Sequence, residues 1–313
     1  MIYTVTLNPA VDKILFLDQF QRSKTNRLTR TLETIGGKGT HIFINLKLLG
    51  VQSTALGIVM GENGKKIVNM LGGFGENVRF LYYDMPGKES RTNYEIVESS
   101  GHTCTMVTER GPNLPRKLTD DLLNQIREVI KSGDMLVLTG DASNVEDTDI
   151  YSTLTLVANA LGAKVFLDAS GQYLKQGLNS SPFLIKPNFE ELCFIAGREL
   201  TTESDIIAAL QNLDGYNIPM IAMTWSGNGS IIKNGRDFYR VHPIKVETVN
   251  EGGCGDAFLS AIIAGVEKNW SIIETLKVAA SVAAAAAEGE STVGFDPTRL
   301  EDLKKQATVV KIR

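Results

Sequence analysis

Cysteine and histidine are scarce in this sequence, with three of each among 313 residues. Cys104, Cys193 and Cys254 lie far apart, contain no CxxC pair, and have no cluster of histidines to join; the histidines are His41, His102 and His242. That excludes a disulfide framework and speaks against a structural zinc site. No apolar run approaches the roughly 18 residues a bilayer-spanning helix needs. Met1 to Leu7 lack the basic start and long apolar core of a secretory signal, so a cytoplasmic protein with no membrane partner is expected. An excess of positive charge is also missing. The 32 Lys and Arg against 36 Asp and Glu leave a net charge of −4, which speaks against a nucleic-acid partner.

Two familiar phosphate-binding motifs are absent as well. No GxxxxGK[ST] occurs, because Gly64-Lys65-Lys66 lacks both the upstream glycine and the Ser/Thr. No GxGxxG follows the first strand-like run, and Gly253-Cys254-Gly255 is followed by Phe258 where a third glycine would stand. P-loop and dinucleotide-binding readings lose their support.

What remains is an ordinary globular mixture, 43% hydrophobic and 22% charged, with 29 glycines. At about 150 residues per domain the length suggests roughly two units, and one large α/β domain with a smaller appendage fits equally well. Buried-strand runs at Ile2–Leu7, Ser53–Val59, Val78–Tyr83, Met135–Thr139, Lys164–Asp168, Phe183–Ile185 and Met220–Thr224 alternate with helical patterns. The helices are expected near Thr40–Leu49, Gly64–Leu71, Asp120–Lys131, Asp147–Leu161 and Glu203–Leu213. This rhythm predicts a mostly parallel sheet covered by helices on both faces. Val11–Arg30 and Ser90–Glu109 break it and predict a small antiparallel appendage, the second as a hairpin broken at Ser-Ser-Gly-His. Ile231–Val241 reads as another hairpin, and the chain ends in helices at Asp256–Lys268, Ile272–Glu288 and from Pro297.

The glycines gather before helices and after strands. Gly252-Gly253-Cys254-Gly255-Asp256 precedes a helix, where outward-facing N–H groups and the positive end of the helix dipole make an anion hole. Asp256 is either a simple N-cap or a general base for a hydroxyl attacking phosphorus beside that hole. Gly36-Gly37-Lys38-Gly39 is either a flexible helix start or a backbone that must approach a small ligand closely. Lys186-Pro187-Asn188-Phe189-Glu190-Glu191 places Asn188 and Glu191 as a cap with its box partner, or around a hydrated cation. Thr224-Trp225-Ser226-Gly227-Asn228-Gly229 either turns the chain or wraps a phosphate.

In this order, the four clusters resemble the ribokinase-like (PfkB-type) sugar kinase family over nearly the whole chain. Thr6-Leu7-Asn8-Pro9-Ala10-Val11-Asp12 and Ser90-Arg91-Thr92-Asn93 are similar to the branch containing fructose-1-phosphate and tagatose-6-phosphate kinases. The resemblance implies a three-layer αβα sandwich of one domain, residues 1–313, with a mostly parallel sheet and a small antiparallel β-lid formed by about 11–30 and 90–109. It implies ATP and Mg²⁺, a sugar-phosphate substrate, and pairing of two copies through the lid. Asp256 would be the catalytic base and the amides of Gly253, Cys254 and Gly255 the anion hole. Asp12, Gly37, Lys38, Gly39, His41, Arg91 and Asn93 would hold the sugar, with Arg91 on its phosphate. Lys186, Asn188, Glu191, Thr224, Ser226, Gly227 and Gly229 would serve the nucleotide, Asn188 and Glu191 through the waters of Mg²⁺. The alternatives are a kinase of an unphosphorylated sugar or nucleoside, and a sugar-binding protein without turnover.

Departures from the family pattern fall mostly on the sugar side. His41 stands where the family has Asn, Ile44 where an Arg usually follows, and Asp141 in a turn that often contacts the substrate phosphate. On the nucleotide side, Ser226 stands where the branch has its first glycine.

Overall fold

The computed structural model describes residues 1–101 and 103–313. His102, in the break of the hairpin expected at Ser90–Glu109, lies outside them. In chain order the first elements are β1 (Ile2–Thr6), β2 (Ala10–Leu17), β3 (Arg30–Gly36), α1 (Lys38–Leu48), β4 (Ser53–Met60), α2 (Gly61–Gly72) and β5 (Val78–Tyr83). Next come β6 (Arg91–Glu98), β7 (Thr103–Thr108), α3 (Arg116–Val129), β8 (Met135–Thr139), α4 (Ile150–Ala160), β9 (Lys164–Asp168) and α5 (Gly171–Leu178). They are followed by β10 (Leu184–Ile185), α6 (Phe189–Ala196), α7 (Glu203–Gln211), β11 (Met220–Thr224), β12 (Ser230–Asn234) and β13 (Asp237–Val241). The chain closes with α8 (Cys254–Glu267), α9 (Ile272–Ala287), α10 (Leu300–Gln306) and β14 (Val309–Lys311).

The large sheet has ten strands in the order β14-β13-β12-β11-β10-β9-β8-β1-β4-β5. Pairing is parallel from β5 through β11 and antiparallel from β11 to β14. The predicted runs in β5, β8, β9 and β11 keep their bounds. Strand alternation shows why both faces are covered. On β8, Leu136 and Leu138 enter the core shared with α3 and α4, while Met135 and Val137 enter the core shared with α1, α8 and α9. Helices on both faces make three layers.

The smaller sheet has the order β3-β2-β6-β7. Its outer pairs are antiparallel, as expected, but the central pair β2–β6 runs parallel, with Asp12 opposite Asn93 and Ala10 opposite Arg91. The lid also extends beyond the expected 11–30. Residues 18–29 form no strand, and β3 carries the sheet to Gly36. The alternation in Arg30–Gly36 is half exposed and runs straight into the glycine cluster, which hid it in the sequence.

The topology decides where chemistry can occur. The chain leaves β1 in one direction toward β4 and β5 and in the other toward β8–β11, so the sheet has a switch point at β1. Ligands of open parallel sheets bind beyond the carboxyl ends of strands near such a point. Thr6, Thr139, Asp168, Thr224 and the residue after β10, Lys186, stand at those ends.

Candidate functional site

Two cavities open along this edge. One, of about 310 Å³, lies between the strand ends and the lid and is walled by Asn8, Asp12, Lys38, His41, Arg91, Asn93 and Asp141, among others. The second, of about 330 Å³, lies between the Thr224–Gly229 turn, the start of α8 and the alanine-rich face of α9. Thr224, Ser226, Gly227, Gly229, Cys254 and Gly255 all line it, and Ala280, Ala283 and Ala284 form its apolar wall. Phe189 and Trp225 stack at 5.1 Å beside that turn, with the guanidinium of Arg240 above Trp225.

Asp256 stands between the cavities. Its neighbour Gly255 faces the second cavity, while its partner His41 faces the first. The turn before it is fixed by Gly253, which has φ +77° and would place a Cβ only 1.8 Å from the carbonyl oxygen of Thr292. No side chain caps α8; the Cys254 N–H meets the Glu251 carbonyl at 3.4 Å, while among the described residues those of Gly253, Gly255 and Asp256 have no protein acceptor and suit an anion. Cys254 lies inside this turn, and burial, with Glu251 and Asp256 nearby, pushes its thiol up to about 12. It is therefore a small packing residue at neutral pH and not a thiolate.

His41 and Asp256 are both buried, at 6% and 5% exposure, and the His41 Nδ1 to Asp256 Oδ2 distance is 2.8 Å. The other ring nitrogen, Nε2, is 3.0 Å from the Ile35 carbonyl oxygen. Burial opposes charging of the imidazole, yet the hydrogen bond to Asp256 and the charges of Asp256 and Asp12 outweigh it, and the pKa of His41 is raised. Asp12 is held by Asn93, whose Nδ2 donates to Oδ1 at 2.8 Å. Burial raises the pKa of Asp12, opposed by His41, Asn93 and Arg91. Gly37, at φ +107°, carries the chain over Thr6 into α1 and lets Lys38 reach the strand ends.

Lys38 and Lys186 converge on a residue the sequence reading did not single out. The Asp168 carboxylate, 1% exposed, lies 3.3 Å from Lys38 Nζ and 3.2 Å from Lys186 Nζ. Burial alone would raise its pKa, but the two ammonium groups hold it below the usual value. Its position at the end of a parallel strand is the signal that could have found it.

Arg91 is less free than the sequence suggested. Its Nε donates to the Asn8 carbonyl at 3.1 Å and its Nη1 to the Glu109 carbonyl at 3.2 Å. Nη1 also lies 3.8 Å from Asp141 Oδ2, on the wall of the same cavity. Asp141 is fixed in turn by Asn8 and by the N–H and hydroxyl of Ser143. Ile44, at the position of a family arginine, is buried in the core beneath the lid.

Asn188 and Glu191 form a complete capping box on α6. Asn188 Oδ1 accepts from the Glu191 N–H at 2.8 Å, Glu191 Oε2 accepts from the Asn188 N–H at 2.9 Å, and Ser170 donates to Glu191 Oε1 at 2.6 Å. Among the described residues no group of three metal-binding side chains gathers. Hard oxygen donors of this kind fit an ion that keeps its waters and is carried by phosphates, and they do not fit a protein cage.

The lining of the first cavity also shows what it would accept. Thr6, Asn8, Asp12, His41, Asn93 and Thr139 give it a wall rich in hydrogen-bonding groups, the kind of lining that suits a hydroxyl-rich ligand.

Residues 5–299 match the model of the pfkB family carbohydrate kinases. Tagatose-6-phosphate kinase of Staphylococcus epidermidis is 28% identical, with all of both chains covered. The fold resembles that of phosphofructokinase-2 from Escherichia coli in complex with potassium, at TM-score 0.90 and 22% identity over 97% of this chain and 98% of that one. The same enzyme in complex with fructose-6-phosphate gives TM-score 0.88 at 22% identity, with the same coverage. With the match spanning almost the whole chain, this protein belongs to the pfkB family of carbohydrate kinases.

Proposed function

We propose that the protein transfers the γ-phosphoryl group of ATP to a hydroxyl of a sugar phosphate, with fructose 1-phosphate and tagatose 6-phosphate as the leading acceptors. The observation that carries this reading is the position of Asp256, a buried carboxylate at an uncapped helix start between a polar cavity under the lid and an alanine-walled cleft. The sugar would lie in the polar cavity, where Asp12 and Asn93 bind and orient its hydroxyls. The adenine would lie along α9, with Ser226, Gly227 and Gly229 on the ribose and phosphates. Asp256 takes the proton of the acceptor hydroxyl, and the amides of Gly253, Cys254 and Gly255 stabilise charge on the moving phosphoryl group. Lys38 and Lys186, held together by Asp168, supply positive potential between the cavities. Asn188 and Glu191 would hold Mg²⁺ through its waters, where it would neutralise phosphate charge. The lid would exclude water from the acceptor side. Its edge strand β7 is exposed throughout, with Met106 and Val107 uncovered, which suits pairing with a second copy.

A second reading, an unphosphorylated sugar as acceptor, has its own observation. Asp141 occupies the cavity wall beside Arg91, where a carboxylate would repel a phosphate. A coupled ADP-release assay over sugars and sugar phosphates, with and without Mg²⁺, decides between the two. Turnover of phosphorylated ketoses supports the first; turnover of plain sugars alone replaces it with the second.

A further inference from the structure

The geometry points to His41 as the positioning residue of the phosphoryl-transfer base: an imidazolium that grips Oδ2 of Asp256, leaves Oδ1 to take the acceptor proton, and makes turnover fall when the ring loses a proton. The inference rests on the reading of Asp256 as that base.

The protonation state follows from the two contacts. A backbone carbonyl only accepts hydrogen bonds, so Nε2, 3.0 Å from the Ile35 oxygen, carries hydrogen. A carboxylate also only accepts, so Nδ1, 2.8 Å from Asp256 Oδ2, carries hydrogen too. A neutral ring satisfies one contact at most. Among the described residues, Asp256 Oδ1 has no protein hydrogen-bond partner. The acidic groups bearing on the ring are Asp12 from β2, Glu95 from β6 and Asp256 from α8. Two cations stand in the same cavity wall and are engaged elsewhere: Arg91 with Asp141, and Lys38 of the same helix with Asp168. The surroundings favour the charged ring, in line with its raised pKa.

During transfer, the acceptor O–H bond breaks as Oδ1–H forms, and the acceptor oxygen bonds to the γ-phosphorus. The bridging P–O bond breaks and its electron pair leaves with ADP. The His41 proton stays on Nδ1 throughout. If the ring loses a proton, one of its two nitrogens faces its acceptor lone pair to lone pair at the same short distance, the ring shifts, and the base is displaced with it. Misplacement of about 1 Å costs on the order of a hundredfold in rate.

The test compares pH profiles of kcat/KM for the wild type, His41→Asn and His41→Phe, together with ¹⁵N NMR of the histidine rings. The chain has only three histidines, so the signal missing from His41→Asn identifies His41. The wild type should show an alkaline limb on which turnover falls as the ring loses a proton. His41→Asn keeps a donor that does not titrate; it should lose that limb and fall by only about tenfold, the difference between a charged and a neutral hydrogen bond. His41→Phe should lose about a hundredfold across the whole range. In the wild type both ring nitrogens should remain protonated above pH 6.5, and Asp256→Asn should lower that titration. A neutral His41 ring at pH 6.5, or an unchanged alkaline limb in His41→Asn, overturns the inference. Near-normal turnover by Asp256→Asn overturns the base reading instead, whatever the NMR of His41 shows.

Discussion

The two cavities that flank Asp256 are built from different materials. The cleft along α9 is made from backbone: a turn with Ser226, Gly227 and Gly229, an uncapped helix start, and a wall of alanines. The lid cavity is made from side chains that already hold one another, Asp12 with Asn93, His41 with Asp256 and Arg91 with Asp141. The lesson concerns tolerance. A backbone site depends on a few positions that admit only glycine, whereas a side-chain site depends on the balance of charges around it.

Removing the group the two cavities share should have the largest effect. Asp256→Asn should cost about 10²–10⁴-fold in kcat while leaving ATP affinity nearly intact, as measured by turnover and by calorimetric titration with ATP. Loss of ATP binding to a similar degree would place Asp256 in the nucleotide cleft alone. Next, the backbone side should break at Gly253. An alanine there faces a carbonyl oxygen and a left-handed backbone, and Gly253→Ala should lower stability by about 1–3 kcal/mol in denaturant melts and lose activity as well. Gly255→Ala is the control, because an added Cβ meets only the Lys186 Nζ, at the ordinary contact distance of 3.5 Å; it should fold normally.

The charge balance of the lid cavity can be shifted without rebuilding it. Asp141→Asn removes the carboxylate beside Arg91 and should lower KM for phosphorylated ketoses by about tenfold, with little change for plain sugars. Equal changes on both would show that the substrate's far end lies elsewhere. The smallest effect is a stability one. Because the folded-state pKa of His41 is raised, its contribution is fully present below the unfolded value near 6.5 and is lost as pH rises through the folded value. The Tm gap between the wild type and His41→Phe should therefore narrow from pH 6 to alkaline pH.

The same contrast explains what was legible in advance. Every predicted nucleotide residue from Thr224 to Gly229, with Cys254 and Gly255, lines one cleft, because glycine-rich turns between a strand and a helix announce themselves in a local window. The capping box of Asn188 and Glu191 was legible for the same reason. In the lid cavity, Arg91 and Asp141 were each noticed, but 50 positions separate them and their pairing was not visible. His41 and Asp256 are 215 residues apart. β3 was missed because its alternation is weak, and β14 because it has only three residues at the sheet edge.

The sequence by itself determined the layered α/β order and the places of the glycine turns. Those are consequences of local propensity, period and residue chemistry, which need no partner to act. The tertiary structure alone decided that Asp168 joins two lysines, that Arg91 meets Asp141, and that a histidine holds the proposed base. Hydrogen bonds and buried charges are short-ranged and exacting, so they exist only once the sheet has brought its strand ends together.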